Sequence, residues 1–233
     1  MVEINDKKNG FNTLPWLSIE SVGKSASLAI VFQKNNRLQI ITDQIESREG
    51  VKDSLLPLIE KTAESSVGSI QRISKFVLIN GPGSFTGLRV VNSLIHGLAF
   101  GLNRYMASVS LFELFAFAWL ASDRGVESIK SENLVLNVAL NARLGEYFCC
   151  SVECKQRGEI KANGARQIFP WHIDLKDMPS VKTSAEISTW RNQENVLFCP
   201  SLTDFSFAKL LRELNLNIDK VSLSVLAMFY QLV

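Results

Sequence analysis

Along the first part of the chain, apolar residues fall in short runs broken by turn-forming residues, and these runs predict strands. Residues 14–20 (LPWLSIE) and 26–32 (ASLAIVF) flank the turn Ser21-Val22-Gly23-Lys24. Asn35-Asn36 then separates the second run from a third, residues 37–43. Three strands joined by short turns predict an antiparallel meander. The period then lengthens. From a cap at Asp53 or Ser54 to about Ser65, the residues Leu55, Leu58, Ile59 and Thr62 recur on one helical face, with Leu56 and Ala63 on its flank. Pro57 is expected in the first turns of that helix, where its missing N–H costs little. The apolar face is wider than one packing contact needs.

The next stretch organises the chain. Residues 76–79 (FVLI) read as a buried strand, a turn rich in Gly and Pro follows, and residues 85–102 read as a helix. Leu88, Val90, Val91, Leu94, Ile95, Leu98, Ala99 and Phe100 cover most of its circumference, which predicts burial on several sides. Gly97 and Gly101, four residues apart, leave a smooth strip where another helix could come close. Two readings stay open here, a helix shared with a partner and a helix buried wholly within this chain.

Residues 107–109 predict a short strand. Ser110 and Glu113 have capping-box spacing for an aromatic-rich helix ending near Leu120. Residues 122–132 are polar, and a boundary between two lobes is expected between 103 and 132. Residues 134–140 and 146–152 pair around Asn141-Ala142-Arg143-Leu144-Gly145, and residues 195–199 suggest another strand. Residues 206–214 and 222–232 suggest helices. Residues 156–182, broken by Pro170 and Pro179, follow no clear pattern, and no internal repeat is visible.

Composition narrows the function. With 233 residues, 25 Lys and Arg against 23 Asp and Glu, the chain carries a net charge of +2, so no broad basic surface for nucleic acid is present. The four cysteines, Cys149, Cys150, Cys154 and Cys199, contain no CxxC pair and read as free thiols of a reducing compartment. Residues 1–11 are polar with both charge signs, unlike a secretory leader. Residues 111–121 contain Glu113 and fall short of the roughly 20 residues that span a bilayer. A cytoplasmic protein is expected.

The turn itself reads Asn80-Gly81-Pro82-Gly83-Ser84-Phe85-Thr86-Gly87-Leu88-Arg89. It lacks the lysine of a phosphate-binding GxxxxGK[ST] loop, and its glycine spacing is not GxGxxG. What remains is a sharp turn at Gly81 and Gly83, hydroxyls from Ser84 and Thr86 to cap the helix, and Arg89 in the first turn. A cation at that end of a helix dipole makes sense opposite a carboxylate or phosphate, or else is an ordinary surface arginine.

Here the sequence resembles a known family. GPGSFTGLR, with Gly81, Pro82, Gly83, Ser84, Phe85, Thr86, Gly87 and Arg89 in place, is similar to the signature of the bacterial TsaB (YeaZ) proteins. These are paralogues of the TsaD/Kae1 proteins that help install threonylcarbamoyl on tRNA adenosine. Residues 17–31, 55–59, 107–116 and 136–147 resemble further family segments in the same order, so the likeness covers about residues 14–150. The chain departs from the family at Glu20-Ser21-Val22, where Asp-Thr-Ser is usual, and at Val51-Lys52-Asp53, where His-Ser-Glu is usual. Asn141 replaces the aspartate of Asp-Ala-Arg, and the usual Pro-x-Tyr-Leu-Arg is not recognisable in residues 228–233.

The resemblance implies the two-lobe α/β fold of actin, Hsp70 and sugar kinases, with an N-terminal lobe at 14–104 and a C-terminal lobe at 105–233 whose last helix packs back on the first. It implies a scaffold without catalytic site, metal or cofactor of its own, ATP and metal belonging to partner subunits. The catalytic paralogue holds its metal through an HxxxH pair, whereas this chain has only His96 and His172, far apart. Implied partners are TsaD, the ATPase TsaE, tRNA through the complex, and a second copy through the same helices. The implied interface is Leu55, Ile59 and Thr62 of the first helix with Val91, Leu94, Ile95, Gly97, Leu98 and Gly101 of the glycine-led one. Alternatives are an ATP-dependent kinase or ATPase of the same fold, with Glu20 a remnant of its metal site, and more remotely a metal-dependent peptidase.

Overall fold

The structure, a computed structural model, describes residues 14–21, 26–35, 37–45, 51–120, 132–156, 171–190 and 196–199. The opening meander forms as the apolar runs suggest: β1 (Trp16–Glu20), β2 (Ala26–Lys34) and β3 (Arg37–Ile45) pair antiparallel in sequence order. β4 (Lys75–Ile79) lies parallel to β1 on its other side, and β5 (Tyr105–Val109) lies parallel to β4. The first sheet therefore runs β3-β2-β1-β4-β5. It extends through Val109, so β5 joins this sheet although the expected division at 104/105 put those residues in the second lobe.

Three helices cover the sheet. α1 (Val51–Val67) starts before the expected cap at Asp53 or Ser54, which places Pro57 inside the helix, where its ring faces solvent. α2 (Phe85–Gly101) follows β4, and α3 (Leu111–Leu120) follows β5. At the start of α3, Ser110 N–H donates to Glu113 Oε2 (2.7 Å) and Phe112 N–H to Ser110 Oγ (3.2 Å), the reciprocal cap expected from the spacing.

A second mixed sheet follows. β6 (Asn133–Arg143) and β7 (Glu146–Gln156) form a hairpin over the two-residue turn Leu144-Gly145, both at positive φ. β8 (Trp171–Leu175) and β9 (Ser180–Thr183) share the far edge of β7, a short α4 (Ser184–Ser188) follows, and β10 (Val196–Cys199) pairs parallel with β6. Both sheets thus share a plan: a first strand, two antiparallel followers on one side, and a parallel strand on the other. The repeat is topological and absent from the residues, which is why the sequence showed none. The helices expected at 206–214 and 222–232 lie outside the described residues.

Strand alternation divides the interior in two. On one face Leu17, Ile19, Phe76 and Leu78 meet Leu55 and Ile59 of α1 with Val91 and Ile95 of α2. On the other, Val77, Ile79 and Val109 meet Leu111 and Phe112 of α3, which also packs on Leu136, Val138 and Cys150 of the second sheet. Cys149, Cys150 and Cys154 are buried free thiols, and burial pushes all three up, Cys154 to about 12.

Candidate partner-binding surface

The glycine turn lies where the parallel strands β4 and β5 end. Asn80 N–H donates to Val109 O (2.9 Å) and Leu111 N–H to Gly81 O (2.7 Å), so the turn is tied both to the end of β5 and to the start of α3. Gly81 has φ +100, and a Cβ there would come within 2.9 Å of Leu88 Cδ1. Gly87 is needed for a different reason. A Cβ on it would lie 2.5 Å from Ser21 Oγ and 2.8 Å from Ser21 O, so α2 starts in direct contact with the backbone that leaves β1. Ser84 is the N-cap: its Oγ accepts from Gly87 N–H (3.5 Å) and its carbonyl from Leu88 N–H (2.8 Å). Thr86 points to solvent instead of sharing the cap.

Fixed in this way, α2 buries one stripe. Val91, Ile95 and Ala99 are buried, Gly87, Leu88, Val90, Leu94 and Leu98 are half-buried, and the rest is open. The expectation of burial on several sides is therefore corrected. Counting apolar residues around the circumference overstates burial, because only the side facing β1, β4, β5 and α1 has neighbours. Added Cβ atoms at Gly97 and Gly101 would meet nothing within 4 Å. Phe85 is 68% exposed and Phe100 87%. Arg89 sits over the Phe85 ring, 3.9 Å from its centroid, and His96 Nδ1 lies 2.8 Å from Asn92 O.

This redraws the expected interface. Leu55, Ile59, Val91 and Ile95 are fully buried in the chain's own core and cannot touch a partner. Thr62 is buried too, its Oγ1 donating to Leu58 O (2.8 Å) and reaching Asp43 Oδ2 (3.3 Å) on β3. Leu94, Gly97, Leu98 and Gly101 remain as candidates. Phe100 and Phe85 join them, and sequence reading did not place these two at the interface. The available signal was Phe100 standing beside two glycines, a large ring next to a bare backbone.

Two further groups mark what this end of the sheet does not offer. Glu20 is completely buried, and Ser27 Oγ donates to its Oε1 (2.6 Å), so its carboxylate does not face an open cleft. Among the described residues no group of three His, Cys, Asp or Glu side chains gathers as metal ligands. No described helix is long and apolar enough to cross a membrane.

The described residues thus form a mixed α/β protein, two sheets of one plan flanked by helices. Comparison with known proteins narrows this. Residues 44–127 match the family described as TsaD, tRNA N6-adenosine threonylcarbamoyltransferase. The chain is 29% identical over 159 residues to the tRNA threonylcarbamoyladenosine biosynthesis protein TsaB of Haemophilus influenzae, covering 68% of this chain and 60% of that one. It therefore spans about three fifths of that relative's length. YeaZ from Pseudomonas aeruginosa aligns with a TM-score of 0.48 at 18% identity, over 72% of this chain and 67% of that one. A second Pseudomonas aeruginosa structure, described as similar to peptidase YEAZ, gives 0.49 at 18% identity, over 73% and 67%. The Haemophilus influenzae relative carries the name of the family that the GPGSFTGLR stretch resembles.

Proposed function

We propose that this chain is a non-catalytic scaffold subunit in tRNA threonylcarbamoyladenosine biosynthesis, pairing with a TsaD-type paralogue and supporting its transfer of threonylcarbamoyl to the tRNA adenosine next to the anticodon. The observation that carries this is the outer face of α2. A helix anchored by the GPGSFTGLR turn leaves Gly97 and Gly101 bare beside an 87% exposed Phe100. Exposed aromatic side chains beside a close-approach backbone suit a helix–helix contact better than a solvent face. In the same proposal ATP and metal belong to partner subunits such as the ATPase TsaE, tRNA is met through the assembly, and the chain is cytoplasmic. The two-lobe division and a homodimer through the same helices go with it.

The competing reading, an ATP-dependent enzyme, would need carboxylates open to a nucleotide's metal at the ends of these strands. The burial of Glu20 against Ser27 speaks against it. Co-purification of the full chain with the TsaD paralogue of the same cell tests the proposal, and calorimetry with Mg–ATP tests the competitor. A stable pair without nucleotide binding by the isolated chain is expected; nucleotide binding without pairing would reverse the assignment.

A further inference from the structure

Phe85, Arg89, His96 and Phe100 follow one another along a single flank of α2. The helix has no Asp or Glu anywhere in its 17 residues, and among the described residues no carboxylate pairs with Arg89. Arg89 is the fifth residue of α2, just past its positive N-terminal turn, and no acidic residue of the helix offsets its charge. Stacking its guanidinium face on the Phe85 ring, 3.9 Å away, holds it in place and leaves its in-plane N–H groups free.

We infer that the Phe85–Arg89 corner receives a carboxylate of the partner subunit, bound edge-on by the guanidinium and flanked by the exposed ring. The inference rests on the pairing proposed above and names the chemistry of that surface. It favours a protein over RNA for a reason of number. Nucleic-acid affinity is built from several phosphate contacts, and this flank offers one arginine and one histidine beside uncharged Asn92 and Ser93, with exposed rings at Phe85 and Phe100. A single planar cation stacked on an aromatic ring is the composition of a protein interface anchor. The bidentate geometry also makes lysine a poor substitute.

The test is titration of the full chain with the purified TsaD-type paralogue at about 50 mM and about 300 mM salt, for the wild type, Arg89→Lys and Arg89→Glu. The wild type should weaken several-fold with salt. Arg89→Lys should fall between the other two, and Arg89→Glu should lose about tenfold or more at low salt, a deficit that shrinks at high salt as the like charges are screened. Because Arg89 is exposed, thermal melting of the variants should match the wild type; Arg89→Gln serves if the reversal disturbs folding. Wild-type affinity in Arg89→Glu, or salt-independent binding by the wild type, overturns the carboxylate contact while leaving the pairing standing. Intact pairing with loss of binding to tRNA alone also overturns it and moves the arginine to RNA. Failure of the wild type to pair at all overturns both.

Discussion

Gly97→Ala and Gly101→Ala, made together, separate what α2 does for its own fold from what it does for a partner. In the isolated chain the added methyl groups meet nothing within 4 Å, so there is no packing penalty. Helix propensity then acts alone. Alanine is better than glycine by about 1 kcal/mol in a helix interior, and by less at Gly101, the last residue of α2. For a chain of this size each kcal/mol raises the melting temperature by about 2–4 °C. At a helix–helix contact the same methyls stand between two backbones. Overpacking of that kind costs about 1–3 kcal/mol, roughly 5- to 150-fold in affinity. The double variant should therefore melt higher than the wild type and pair more weakly, two effects of opposite sign from one change. Urea or thermal unfolding of the isolated chain and titration against the paralogue read them separately. Pairing at wild-type strength in a stabilised variant would refute the strip as the contact, and lowered stability would refute the open environment of the two glycines.

Gly87→Ala forces a Cβ against the Ser21 carbonyl and should cost about 1–3 kcal/mol in urea unfolding, with no full rescue by Ser21→Ala because the backbone contact remains. Phe100→Asp should leave stability within about 0.5 kcal/mol yet abolish pairing, whereas Ile59→Asp, which buries a charge in the core, should not yield folded protein. Lys75 is 4% exposed beneath the Trp16 ring, and burial holds its ammonium down to about 8. A folded-state value below the unfolded 10.5 means that the unfolded chain binds more protons between them, so stability rises as pH climbs from about 8 towards 10.5. The gain amounts to about 3 kcal/mol at most, and unfolding of Lys75→Met should lack this rise.

Where local pattern alone decides structure, the fold was legible in the sequence. The three-strand meander, the strand–turn–helix at residues 75–101 and the β6–β7 hairpin all follow from alternation and turn residues. The capping box at Ser110 and Glu113 is equally local. What depended on neighbours was not legible. The sequence of α2 looks apolar all round, and only the assembled sheet reveals that Val91, Ile95 and Ala99 face it while Phe100 does not. The α1 face is wide, yet Leu55 and Ile59, part of the interface the resemblance implies, are needed to cover β2 and β3. The turn is legible as a fixed point, but its reason, the contact of Gly87 with Ser21, joins residues far apart in the chain.

The outer face of α2 is tested by the affinity of this chain for the TsaD paralogue of the same cell. Titration of the wild type beside Phe100→Asp should give a defined one-to-one complex for the first and none for the second, with equal melting temperatures. Equal binding by both, or none by the wild type at concentrations of about 100 μM, a range that holds all but the weakest specific pairs, would contradict it.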